Sequence, residues 1–281
     1  MEKGGSRMKR VVTIQDISCI GKCSLTVALP IISAMGSETA VIPTAVLSAH
    51  TAFPSFTFRD LTADITDISE NWKKLGMNFD AVYTGYLGSI EQLDLVVKFL
   101  NDFRRKDTLV FVDPVIGDHG KLYSGFTPQF AEQMAEKLCS HADILVPNAT
   151  EASLLTGIPY RETTDRGYCE ELLGKLCEMG AKKAVLTGVR KGNDIGVLSY
   201  DPETGKYFEY YNEHIDKIFH GTGDVFASCC VGALMQGHSL DEALVTSVDF
   251  VVECIRKTIA DPDAPWYGVN FESALPVLLQ K

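Results

Sequence analysis

The chain has 281 residues, room for one large α/β domain or two ordinary ones, and its 46% hydrophobic and 22% charged content excludes a disordered polyelectrolyte and a membrane bundle. Its net charge is −11 and no run of Lys and Arg is longer than Arg104–Arg105–Lys106, which disfavours a nucleic-acid partner. No stretch approaches the ~20 apolar residues of a membrane-spanning helix; the best, 25–32, is interrupted by Pro30.

Residues 1–7, MEKGGSR, carry no apolar export signal and are expected to form a flexible extension, leaving 8–281 as a single domain in the cytoplasm. The cysteine pattern agrees with that compartment: none of the 8 cysteines forms a C-x-x-C pair and most lie among apolar neighbours, as reduced buried thiols do. Short apolar runs then predict strands at 10–14, 39–43, 81–84, 109–112, 144–146 and 184–187. Between them, helical patterns predict helices near 24–35, 67–75, 90–104, 128–139, 149–155 and 165–179. This alternation of strand and helix is that of βαβ units around a mainly parallel sheet. After Thr187 the pattern changes: DIGVLSYDPETGKYFEYYNE alternates and turns at DPETGK, an antiparallel hairpin, before two last helices at about 222–236 and 240–259. No repeat or linker divides the chain.

Two nucleotide motifs can be tested and both fail. CIGKCS has Asp16 where a P-loop needs its first glycine and Cys23 where it needs Ser or Thr. A dinucleotide fingerprint starting at Gly221 would place its third glycine on Phe226. What remains at 221–224 is Gly221-Thr222-Gly223-Asp224 opening an apolar helix. Its small residues leave several N–H groups free to meet one anion, and the helix dipole favours negative charge in the same place. Asp224 is then either a base that takes the proton of a hydroxyl attacking a phosphoryl group, or only an acidic residue suited to a first helical turn. Two further stretches bear on that choice. DPVIGDHGKLY puts Asp113 at a strand's carboxyl end, where open α/β sheets bind ligands, with Asp118 in the following loop. VPNATEASLLTG puts Asn148 and Glu151 three residues apart on one helical face at another strand end. Oxygen ligands so gathered suit Mg²⁺ and a phosphate, although each alone is an ordinary turn residue or cap.

These residues resemble the ribokinase-like small-molecule kinases, and among them the pyridoxal kinases, from about Lys9 onward and in the same order. The resemblance is carried by GTGD, DPVIGD, N-x-x-E at Asn148 and Glu151, SAHT at 48–51 and TGYLG at 84–88. It implies a three-layer α/β/α sandwich and ATP-dependent phosphorylation of the 5′-hydroxymethyl group of a vitamin B6 vitamer. Asp224 matches the family's catalytic base, with Gly221, Thr222 and Gly223 around the transferring phosphoryl group. Asp113, Asn148, Thr187, Gly221 and Gly223 match nucleotide-contacting positions; Asp113, Asp118 and Glu151 match the Mg²⁺ region; Thr51 and Tyr86 match residues beside the vitamer. A bound K⁺ and a homodimer are implied by the resemblance alone. Asp16 departs from the family serine at the end of the first strand; it either pairs with the ring nitrogen or an amine, or caps the following turn. His50 and His119 lie near the site without being the expected base. The competing readings are hydroxymethylpyrimidine kinase, whose turn reads GTGC, and a non-catalytic carrier of pyridoxal phosphate.

Overall fold

The computed structural model describes residues 7–217 and 219–279. The elements follow in chain order as β1 (Arg10–Ser18), α1 (Leu25–Ala34), β2 (Glu38–Leu47), β3 (Phe58–Asp60), α2 (Thr62–Lys74), β4 (Ala81–Thr84), α3 (Ile90–Phe103) and β5 (Leu109–Val112). Next come a short hairpin, β6 (Gly117–Asp118) and β7 (Lys121–Leu122), then α4 (Pro128–Gln133), β8 (Ile144–Leu145), α5 (Ala149–Thr156) and α6 (Arg166–Glu178). The last third holds β9 (Ala184–Lys191), β10 (Asp194–Asp201), β11 (Lys206–Glu213), α7 (Thr222–Met235), α8 (Leu240–Ala260) and α9 (Phe271–Leu278).

Nine strands make one sheet in the order β11-β10-β9-β8-β5-β4-β1-β2-β3. Pairing is parallel from β2 through β1, β4, β5 and β8 to β9, and antiparallel at β3, β10 and β11. The period of two along each strand feeds two separate cores. On one face Val12, Val82, Val110, Leu145 and Leu186 pack under α2 to α6; on the other Val11, Tyr83, Phe111, Ile144 and Val185 pack under α1, α7, α8 and α9. That is the three-layer sandwich.

β1 has β2 on one side and β4 on the other, so the chain leaves it in opposite directions along the sheet. A crevice therefore opens beyond the carboxyl ends of β1 and β4, the place where such sheets bind ligands. Asp16 lies near the carboxyl end of β1 and Tyr86 just beyond that of β4.

Several expected boundaries move. The strand expected at 39–43 continues through Pro43 to Leu47, because a register shift between Gln15 and Ile17 lets the ladder with β1 resume. The helix expected at 67–75 begins at Thr62, whose amide is received by Asp60. The helix expected at 128–139 ends at Gln133 and passes through a π-helical turn at Met134–Leu138. β3, the β6–β7 hairpin and α9 have no counterpart in the sequence expectation; two are shorter than four residues, and α9 contains Pro276. Residues 1–6 of the expected extension lie outside the described residues; Arg7 donates to both carboxylate oxygens of Asp80.

Candidate active site

α7 starts at Gly221, whose φ of 78° is left-handed and whose missing side chain leaves room for the Lys22 carbonyl oxygen against its Cα. A glycine cap brings no side-chain acceptor, so the first-turn amides stay available to an incoming anion. Thr222 is half-buried and Gly223 exposed, which leaves this turn open to a ligand. Asp224 stands half-buried in the same turn. Burial raises its carboxyl to about 7, the charge of Asp16 adding to the rise and the Ser24 backbone amide opposing it. A carboxyl at that value is half ionised near neutral pH, where a general base is most effective.

Asp16, the last inward residue before the end of β1, is buried and receives two hydroxyls: Ser18 donates to Oδ2 at 3.3 Å and Ser24 to Oδ1 at 2.5 Å. Burial outweighs both and holds its pKa above the ordinary aspartate value. Tyr86 follows β4, its ring tilted against Phe126 at 5.5 Å, its phenol raised by burial and by the charges of Asp16 and Asp60. Thr51 is exposed at the start of a turn. His50 braces that turn: Nδ1 accepts the Ala52 amide at 3.0 Å, so Nε2 carries the proton and donates to the Tyr267 carbonyl at 3.0 Å. Burial lowers its pKa, and its ring lies 5.2 Å from that of His220, next to the Gly221 turn. The far end of the segment is pinned too, since Phe58 pairs with Leu47 across β2 and β3.

At the end of β5, Asp113 is buried; desolvation raises its carboxyl well above the ordinary value, and the charges of Glu151 and Asp224 add to it. Glu151 closes a capping box on α5: Oε2 accepts the Asn148 amide at 2.9 Å, Asn148 Oδ1 accepts the Glu151 amide at 2.9 Å, and Oε1 accepts the Ile116 amide at 3.2 Å. Burial still lifts Glu151 to about 8. Asn148 also donates to the Gly117 carbonyl and bridges Thr187, whose amide donates to the Pro147 carbonyl at 3.0 Å. Asp118 is exposed on β6 and accepts the His119 amide at 2.8 Å. His119 is exposed as well, in a left-handed turn at φ 51°.

The structure thus brings Asp224 within electrostatic reach of both Asp16 and Asp113, and Glu151 with them through Asp113. Asp118 is at the surface, and its charge still reaches Glu151. Among the described residues no three His, Cys, Asp or Glu side chains form a ready metal cage. A divalent cation still suits the place: buried, mutually repelling carboxylates are short of positive charge, and Mg²⁺ commonly takes one or two carboxylates, completing its shell with water and phosphate.

Five participants have no motif of their own. Ser24 touches both Asp16 and Asp224. Cys23, preceding it, has its thiol pushed up to about 12 by burial and by the charges of Asp224 and Asp16. Tyr83 lies fully buried where the charges of Asp113 and Asp224 reach its hydroxyl and where Ser228 and Gln15 stand beside it; among the described residues that hydroxyl, Gln15 Oε1 and Ser228 Oγ make no well-formed hydrogen bond. Only Ser228 had a readable signal, four residues beyond Asp224 on the same helical face. Lys22, which gave CIGKCS its look of a phosphate loop, turns its amine to Asn270 at 3.1 Å and Glu272 at 2.6 Å.

Comparison with known proteins identifies the family and the fold. A family model described as phosphomethylpyrimidine kinase matches residues 31–263. A pyridoxal kinase of Arabidopsis thaliana is 30% identical over 280 residues, covering 96% of this chain and 89% of the plant protein. A Bacteroides thetaiotaomicron protein solved in an orthorhombic form with pyridoxal superposes with a TM-score of 0.91 at 37% identity, covering 97% of this chain and 96% of the other. The pyridoxal kinase of Lactobacillus plantarum superposes with a TM-score of 0.89 at 31% identity, covering 97% of each chain.

Proposed function

Because the chain belongs to the phosphomethylpyrimidine kinase family, we propose that it transfers the γ-phosphoryl group of ATP to the 5′-hydroxymethyl group of pyridoxal, pyridoxine or pyridoxamine. The observation that carries this reading is Asp224: a carboxyl raised to about 7, in the first turn of a helix whose amides are free, within electrostatic reach of the crevice carboxylate Asp16.

Asp224 takes the proton of the attacking hydroxyl, and the amides of Gly221, Thr222 and Gly223 stabilise charge on the transferring group. Asn148 and Thr187 flank the nucleotide phosphates. Asp113 would hold Mg²⁺, with Glu151 and Asp118 acting through water, since both Glu151 oxygens already receive backbone amides. Bound there, the ion would neutralise phosphate charge and polarise the phosphoryl oxygens. Asp16, Tyr86 and Thr51 position the ring, the first two from strand ends and the third from the turn braced by His50. K⁺ binding, a homodimer and a cytoplasmic location complete the reading; they rest on the family resemblance and on the cysteine pattern.

Hydroxymethylpyrimidine is the competing acceptor, favoured by the description of the family model itself. The test is one panel: MgATP with each of the three vitamers and with hydroxymethylpyrimidine, following ADP release and the phosphorylated product. We expect turnover with at least one vitamer and a weaker reaction with the pyrimidine. ADP-independent binding of pyridoxal phosphate with no product from any acceptor would make the chain a carrier and overturn the proposal.

A further inference from the structure

Ser24 is one of two non-glycine residues with positive φ among the described residues, at φ 53° and ψ −135°, a combination that belongs to glycine. Such strain persists only where the surroundings over-determine it, and it gathers at functional sites. Here the hydroxyl and the carbonyl of the residue are hydrogen-bonded, and its amide lies beside Asp224. The hydroxyl donates to Asp16 at 2.5 Å, the amide faces Asp224, and the carbonyl starts α1 by accepting the amides of Val27 and Ala28 at 3.0 and 2.9 Å. In a relaxed helical or extended conformation the same residue could not present its hydroxyl and its amide to these two carboxylates together. The preceding turn is equally constrained, since Gly221 closes directly over the Lys22 carbonyl.

We infer that Ser24 is a positioning residue that fixes the spacing between the carboxylate at the ring end of the site, Asp16, and the base at the phosphoryl end, Asp224. The inference rests on the reading of those two residues given above. A substrate held by its ring at Asp16 then meets the base at a separation set by one strained residue rather than by two independent loops. An acceptor whose ring contact and hydroxyl span that separation reacts efficiently, so Ser24 governs how fast the bound vitamer reacts.

Turnover of the three vitamers by the unmodified chain is measured first; its absence overturns the kinase reading and this inference together. In an active chain, Ser24→Ala is expected to lower kcat roughly 10- to 100-fold, the scale of a displaced catalytic group. It should lower kcat alike for the three vitamers, which share one ring-to-hydroxyl separation, while leaving KM for ATP within twofold. Ser24→Gly removes the hydroxyl and relieves the backbone, so its melting temperature should equal or exceed the wild-type value while its activity falls as far as that of the alanine variant. Full activity in the glycine variant, or an alanine variant that loses stability alone, would overturn the inference and leave the kinase reading standing.

Discussion

Asp224 owes its raised pKa to where it sits rather than to what it is. An exposed aspartate is ionised far below neutral pH and is a weak base; burial and the nearby charge of Asp16 bring this one to about 7. The free-enzyme pH profile should show it: kcat/KM for the vitamer should rise about tenfold per pH unit below that value and level off above it. Asp224→Asn should flatten that limb and reduce kcat by about 10²- to 10⁴-fold, the usual contribution of a general base. A residual rate within tenfold of wild type would remove Asp224 from that role. Tyr83 offers a contrasting test, since its buried hydroxyl stands beside Ser228 and Gln15 without a well-formed hydrogen bond among the described residues while its ring packs edge-on to Phe111 at 5.6 Å. Removing an unsatisfied polar group and keeping the ring costs little, so Tyr83→Phe should stay within about 1 kcal/mol of wild type or be more stable in denaturant titration.

α7 and the loop before α1 form one unit, because Gly221 has both the left-handed φ and the close backbone neighbour that exclude a side chain. Gly221→Ala should therefore fail twice, by backbone strain of about 1–3 kcal/mol and by pushing away the Lys22 loop that carries Ser24. Its melting temperature and its kcat should fall together, whereas Gly223→Ala, with open space around its Cα, should preserve the fold and affect chiefly the bound phosphate. The importance of this turn was legible in the sequence, since GTGD before an apolar helix announces both the cap and the anion cradle. The strand ends carrying Asp113 and Asn148 were legible for the same reason: short β-rich runs followed by turn chemistry. What the sequence hid were contacts between elements far apart in the chain. Nothing in CIGKCS says that Lys22 folds away onto Asn270 and Glu272, or that Ser24 reaches back to Asp16. β3 was hidden because a three-residue edge strand has no periodicity to read; it exists through its pairing with β2.

For the molecule as a whole, the carboxyls gathered at the sheet's carboxyl end set function against stability. Asp16, Asp113, Glu151 and Asp224 all have raised pKa values in the folded chain, burial being the first cause in each. Between its unfolded and folded values each such carboxyl holds a proton that the unfolded chain has released, so its contribution to stability is lost as pH rises. His50 acts in the opposite sense, because its lowered pKa makes stability rise with pH up to its unfolded value of 6.5. Above that value the carboxyls prevail, with Asp224 at about 7 and Glu151 at about 8 still to be ionised. Each proton so released costs about 1.4 kcal/mol per pH unit over its interval. The ligand-free protein should therefore be less stable to urea at pH 8 than at pH 6.5, and the deficit should shrink in Asp224→Asn and in Glu151→Gln, which keeps a side-chain acceptor for the capping box. MgATP, which supplies cation charge to the same carboxylates and binds only the folded chain, should recover more stability at pH 8 than at pH 6.5. Equal stabilisation at both values would mean that the metal and nucleotide bind away from Asp113 and Glu151, and the site would have to be redrawn around other residues.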